Sequence, residues 1–182
     1  ADDRPLSLHG LWTPKIEPEI VFTLRQAPTG TADDPAEALA AVARIGLAYE
    51  IVDTPFADPA TQPVDFVASG GYHVALIVGP SRPVSPDEIP DLVGRLATFT
   101  LRLTSEAATI DGGGRNVLRS PALCLAEVGV AVARAAGDAP LRSGDLISTG
   151  SLTDPQRIAA GQTWTATVEG LDLPPLRLQT IA

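Results

Sequence analysis

Residues 14–24 read Pro14-Lys15-Ile16-Glu17-Pro18-Glu19-Ile20-Val21-Phe22-Thr23-Leu24. The β-branched and aromatic residues at the centre of 16–24 predict a strand. Side chains alternate faces along a strand, so Glu17 and Glu19 project to the same side. Two like charges placed there repel unless something positive lies between them. A divalent cation is an efficient counter-charge, and all-oxygen ligands suit Mg2+, Mn2+ or Ca2+ rather than zinc. Pro18 cannot donate to a ladder, which places it on an edge strand or at a bulge. On spacing alone, the commoner origin of such a pair is a solvated strand face.

A third carboxylate is sought nearby. Asp53 ends a second predicted strand, 47–53, directly before a proline-rich loop, where a carboxylate can face a cleft. Its other ordinary role is turn formation through bonds to nearby backbone. Glu50 lies three residues back, on the opposite face of an ideal strand, and is left out of the ligand set on that ground.

The rest of the chain follows from punctuation. Residues 1–13 form a polar, proline-marked N-terminal arm, and 14–182 one domain. Asp34-Pro35 caps a helix over 36–45, stopped by Gly46. Residues 54–63 form a long loop. A continuous apolar run at 74–78 reads as a buried strand, followed by a loop over 80–90. Segments 96–103 and 107–110 read as a hairpin, with Asp111-Gly112-Gly113-Gly114 as a flexible turn. A helix spans 121–136, and strands cover 145–149, 163–168 and 176–181. Many strands and two clear helices define a β-rich α+β domain.

Composition narrows the function classes. Lys+Arg is 13 against 22 Asp+Glu, a formal charge of -9, which disfavours nucleic acid as a partner. Lys15 is the one lysine. No apolar run approaches the roughly 20 residues of a membrane span. With His9, His73 and Cys124 as the available soft ligands, a tetrahedral structural zinc site is excluded. His73 sits beside an apolar strand and reads as a satisfied core or surface histidine. No methionine is present, so the expectation is that sequence once preceded Ala1.

Four segments together resemble the fumarylacetoacetate hydrolase superfamily, nearest to its 2-keto-4-pentenoate hydratase / 4-oxalocrotonate decarboxylase branch. They are PKIEPEIVFTL (14–24), LAYEIVD (47–53), the small-residue stretch Ala68-Ser69-Gly70-Gly71, and LRSGDLISTGSLT (141–153). The resemblance implies a mixed β-sandwich or roll with flanking helices. It implies Glu17, Glu19 and Asp53 as ligands of Mg2+ or Mn2+, with Gly150, Ser151 and Thr153 beside the substrate. Members of this branch are longer at the N-terminus and carry a catalytic lysine there; Lys15 is the candidate substitute in this chain. Where the family has a His-Pro and a following Asn, this sequence reads Arg119-Ser120-Pro121-Ala122-Leu123, and Asp65-Phe66 replaces an Asp-Asn pair.

The implied activity is that of a lyase, a hydratase or decarboxylase, acting on a small 2-oxo acid through a metal-stabilised enolate, as in aromatic-compound catabolism. C–C hydrolysis and isomerisation pass through the same kind of intermediate. The alternative is a catalytically degenerate metal- or ligand-binding or assembly domain of the same fold. A homo-oligomer in the bacterial cytoplasm, without membrane or nucleic-acid partners, completes the expectation, with a cleaved export signal left open.

Overall fold

The strand over 15–24 becomes the hub of one of two sheets. The computed structural model describes residues 4–29, 31–56, 62–135 and 140–182. In chain order its elements are β1 (Leu6–Ser7), β2 (Lys15–Leu24), α1 (Pro35–Ala40), β3 (Val42–Val52), α2 (Pro63–Ala68), β4 (His73–Pro83) and α3 (Ile89–Thr98). They continue with β5 (Thr100–Thr104), β6 (Thr109–Gly113), α4 (Pro121–Arg134), β7 (Leu146–Ser148), β8 (Gln156–Arg157), β9 (Thr163–Glu169) and β10 (Leu176–Ile181). One sheet runs β1-β10-β9-β5-β6; the other runs β4-β3-β2-β7, with β8 also on β2. This is a mixed α/β architecture of two sheets and few helices.

Alternation in β2 divides its side chains. Ile16, Ile20, Phe22 and Leu24 face the core at 0–1% exposure, and the register sets them against Ile51, Leu47, Ile45 and Val42 of β3. Each such fully buried side chain contributes about 1.5–3 kcal/mol. Lys15, Glu17, Glu19, Val21 and Thr23 face the other way. Tyr49 of β3 ties the sheets together, its hydroxyl donating to the Leu176 carbonyl at 2.9 Å. Helices α1, α3 and α4 pack on one another, burying Leu39, Leu92, Leu96, Ala122 and Leu125.

Pro18 occupies a local edge inside an otherwise paired strand. Beyond β3, β2 pairs β8 only at Lys15–Ile16 and β7 only at Val21–Thr23. Between them the Pro18 carbonyl accepts from the Leu152 amide at 2.8 Å, across the gap. The N and C=O of one strand residue point to the same side, so the missing Pro18 N–H faces that gap and no ladder bond is lost. The irregularity in the β2–β3 register lies at Thr23/Leu24 rather than at Pro18.

Several elements differ from expectation. The helix over 36–45 stops at Ala40, because Val42–Ile45 pair with β2; the Arg25 guanidinium then caps the Val42 carbonyl at 2.7 and 2.9 Å. Gly46 lies inside β3, where a Cβ would sit 3.1 Å from Ser81 Cβ, so it serves close strand approach instead of a helix stop. The run at 74–78 is not buried. It belongs to β4, an edge strand that continues through Pro80 to Pro83, which prolines tolerate at an edge. The rest of the expected loop over 80–90 contains a 3-10 turn at Pro86–Glu88 and the start of α3. Residues 96–98 close α3 and leave the strand to Thr100–Thr104.

The hairpin turn is at Ser105–Ala108, closed by the Ser105 amide on the Ala108 carbonyl at 2.8 Å. The glycines at 112–114, expected to form a flexible turn, are instead packed. A Cβ on Gly112 would meet the Leu152 carbonyl oxygen at 2.1 Å, and one on Gly114 the Leu96 carbonyl oxygen at 2.0 Å. Four α-helices stand among the described residues where two were read. Gly114–Arg134 is long and apolar enough to cross a membrane by length and composition, contrary to the sequence reading. Only 14 of these residues are α-helical, about 21 Å of rise. Leu118 and Arg119 break the stretch at positive φ, and Pro121, Ala122, Leu125 and Ala126 are buried in the domain.

Candidate metal centre

Strand register assembles the acidic group. In the antiparallel β2–β3 pair Glu17 stands opposite Glu50, and Glu19 opposite Ala48. All three glutamates therefore project from the face that turns away from the core. Ligand oxygens of Glu17, Glu19 and Glu50 lie within 4.8 Å of one another.

Glu19 is the innermost, 1% exposed. Its Oε2 accepts from the Ser148 hydroxyl and from the Gly150 amide at 2.8 Å, while its Oε1 is buried and, among the described residues, has no hydrogen-bond partner. Burial pushes its carboxyl up to about 7; the Ser148 and Gly150 bonds oppose that rise and the nearby Glu50 adds to it. Glu17 is also raised, first by burial and then by the charge of Glu50, with Lys15 and the Ser151 hydroxyl pulling it back. Glu50 is held from outside, its Oε1 2.7 Å from His73 Nδ1.

The loop after β7 closes the other side. It runs along the gap in β2, with Thr149 N and Oγ1 both donating to the Ile20 carbonyl and Leu152 N to Pro18. Gly150 has φ +101, a left-handed conformation that favours glycine, and this turns its amide onto Glu19. Ser151 stands beside Glu17, and its hydroxyl donates to the Thr153 carbonyl at 2.8 Å. Thr153 is 5% exposed, and its hydroxyl donates to the Asp154 carbonyl at 3.1 Å. The structure thus brings Gly150 and Ser151 to the carboxylates and turns the Thr153 hydroxyl toward backbone.

Asp53 is placed elsewhere. Its carboxylate accepts from the backbone amides of Trp12 at 2.9 Å and Thr13 at 2.7 Å, and so ties the N-terminal arm to the end of β3. The acid that joins the glutamate pair is Glu50 instead. The reason is parity: residues 50 and 53 project from opposite faces, and pairing sets the Glu50 face beside Glu17. Within β3 alone a signal existed, since Leu47, Tyr49 and Ile51 form the apolar series and leave Ala48 and Glu50 on the second face. His73, read as merely satisfied, is the outer partner of that same Glu50. Lys15 lies in register with Val52 on one side and Arg157 on the other, two residues from Glu17 on its face.

The donor set fits a hard divalent cation. It offers three carboxylates, two of them with raised pKa values from burial and repulsion, and one buried oxygen that no donor among the described residues satisfies. Glu17, Glu19 and Glu50 would hold it, with Ser148, the Gly150 amide and His73 orienting two of the three.

Two packed sheets carrying an acidic, oxygen-only centre at a sheet gap define an α/β scaffold suited to binding a divalent metal. The chain belongs to the fumarylacetoacetate (FAA) hydrolase C-terminal family, whose pattern matches residues 2–177. It is 30% identical over 171 residues to a 2-keto-4-pentenoate hydratase of Paraburkholderia phymatum, covering 93% of this chain and 62% of that protein. A 2-keto-4-pentenoate hydratase of Burkholderia vietnamiensis is 29% identical over the same share of each chain. The chain thus spans about 62% of the length of these relatives. The fold matches 4-oxalocrotonate decarboxylase from Pseudomonas putida G7, complexed with magnesium and adipate, with a TM-score of 0.81 at 22% identity, over 97% of this chain and 64% of that one. It also matches fumarylpyruvate hydrolase from Pseudomonas aeruginosa, in complex with Mn2+ and pyruvate, with a TM-score of 0.63 at 15% identity, over 97% and 70%.

Proposed function

We propose that this chain binds a divalent cation, Mg2+ or Mn2+, at Glu17, Glu19 and Glu50, and acts on a small 2-oxo acid as a hydratase or decarboxylase. The observation that carries this reading is the buried Glu19 Oε1, which among the described residues has no hydrogen-bond donor and lies beside two further carboxylates. Leaving such an oxygen unpaired is destabilising, and a cation resolves both the missing partner and the repulsion. Glu17, Glu19 and Glu50 would hold the cation, which would supply Lewis-acid chemistry to a bound 2-oxo acid.

The protein's own groups supply the rest. The Ser148 hydroxyl and the Gly150 amide fix Glu19 in one rotamer, so little reorganisation accompanies binding. Ser151 stands where a polar group of the ligand would meet it, next to Glu17. Lys15, two residues from Glu17 on the same face, would hold or move a proton at the substrate in this reading.

Calorimetric titration of Mg2+ and Mn2+, with and without oxalate as a planar mimic of the 2-oxo enolate, tests the reading. Binding should tighten with oxalate and disappear in Glu17→Ala/Glu19→Ala. Wild-type protein that binds neither ion would sink it. Binding without turnover of any 2-oxo acid would select the second reading, a ligand-binding domain that has lost catalysis.

A further inference from the structure

We propose that Asn116 and Cys124 form a two-point clamp on the loop after β7 and are positioning residues for Glu19. This rests on the metal-centre reading above, because the clamp acts through the loop that holds that carboxylate.

The loop is gripped from two sides. Toward β2 it uses its donors: Thr149 N and Oγ1 donate to the Ile20 carbonyl at 3.2 and 3.1 Å, and Leu152 N donates to the Pro18 carbonyl at 2.8 Å. On the other side it offers its acceptors to the stretch that joins β6 to α4 and to the first turn of α4. The Leu152 carbonyl accepts from the Asn116 side-chain amide at 2.8 Å and from the Gly113 amide at 3.0 Å. The Thr149 carbonyl accepts from the Cys124 thiol at 3.2 Å. The two clamped carbonyls bracket Gly150 and Ser151, the residues brought to Glu19 and Glu17.

The Cys124 bond reaches Glu19 through one rigid unit. The Thr149 carbonyl and the Gly150 N–H belong to the same peptide group, which is planar and trans, so they point in opposite directions. Cys124 holds one end of that plane and Glu19 Oε2 accepts from the other at 2.8 Å. Rotating the plane off the thiol turns the N–H off the carboxylate. Burial, and then the charges of Glu19 and Glu127, raise the Cys124 thiol, which keeps its S–H able to donate. Thr149 is 3% exposed, so water is a poor substitute for that donor. Among the described residues the ligand group is Glu17, Glu19 and Glu50 without Cys124, so the thiol acts through the peptide and not on a cation.

The backbone between the two clamp residues is strained. Leu118 has φ 41 and Arg119 φ 69, a region that side chains beyond glycine rarely adopt. Such residues persist where their surroundings over-determine them. The Asn116 and Cys124 bonds stand on either side of this turn and contribute that restraint. Val117, inside the same turn, packs against the loop: its Cγ1 lies 3.6 Å from where a Cβ on Gly150 would sit.

Calorimetric titration of Mn2+ into the full chain tests the clamp. Asn116→Leu and Cys124→Ala should each weaken Mn2+ binding about tenfold. Cys124→Ser keeps a donor at the same place and should stay within about threefold of wild type. Asp53→Ala, which loosens the N-terminal arm and not the loop, is the control for a merely structural effect, and should also stay within about threefold. If Asn116→Leu does not fold, the comparison of alanine with serine at position 124 decides the matter alone. Wild-type affinity in Cys124→Ala, equal weakening in Cys124→Ser, or equal weakening in Asp53→Ala would overturn the clamp and leave the metal centre standing. Wild-type protein that binds no Mn2+ would remove the metal centre, and the role of the clamp with it.

Discussion

Glu50 and Asp53 illustrate how a single side chain is assigned or missed. The sequence reading finds Glu17 and Glu19 by alternation within one strand, and the structure sets them side by side. The third acid depends on which residue of β3 stands opposite Glu17, and register between strands is written in neither strand alone. The assignment can be tested directly. Glu50→Gln should weaken Mn2+ binding at least tenfold by calorimetry, whereas Asp53→Ala should leave it within about threefold. Asp53→Ala should instead lose about 1–2 kcal/mol of unfolding free energy in urea, because two arm amides lose a charged acceptor. Reversed outcomes would restore Asp53 to the centre. His73→Ala removes the outer partner of Glu50 and should cost about tenfold in metal affinity. Metal affinity unchanged in that variant would show that Glu50 keeps its orientation without the histidine.

Elements were legible where local pattern and tertiary pairing agree. Strand β2, helix α4 with its Ser120-Pro121 start, and strands β9 and β10 follow from periodicity and punctuation. The reading failed where a locally plausible signal was overruled. Val42 and Ile45 fit a helical apolar spacing, but as buried β-branched residues they are taken into the β2–β3 ladder. The glycines at 112–114 carry the composition of a turn, and their actual role, close passage of neighbouring backbone, is visible only in three dimensions. Gly112→Ala therefore tests packing. The alanine would press on the Leu152 carbonyl, whose own amide anchors the loop to Pro18. We expect a loss of about 1–3 kcal/mol in chemical denaturation, together with weaker metal binding as the Gly150 amide moves off Glu19. A variant of wild-type stability would mean that the loop yields freely.

For the molecule as a whole, the metal centre should couple pH to stability. The folded, metal-free chain keeps the Glu19 carboxyl protonated up to about 7, while an unfolded glutamate releases its proton near 4.5. Between these values the folded state binds more protons. The contribution of Glu19 is therefore full below about 4.5 and is lost as pH rises through about 7. Thermal melts of metal-free wild type should fall across that window relative to Glu19→Gln, which cannot ionise. Saturating Mg2+ should reverse the fall, adding about 2.7 kcal/mol at a hundredfold excess over Kd. Parallel pH profiles for the two proteins would refute the perturbed carboxyl. Assembly is a separate expectation. Strand β4 ends its sheet with Val74 41% exposed, and light scattering should return a multiple of the 18.9 kDa chain mass.

The bonds that hold Glu19 join residues 129 and 131 positions apart. A growing chain releases its three glutamates long before Ser148 and Gly150 have been synthesised, and a loop of that length is slow to close. High-affinity cation binding should therefore be a late event in maturation, absent from any partially synthesised chain that ends before the β7 loop. Stalled ribosome complexes of increasing length would then show ion-dependent protease resistance switching on only after residue 150 has cleared the exit tunnel. The centre would serve as a chemical record that the fold had been completed.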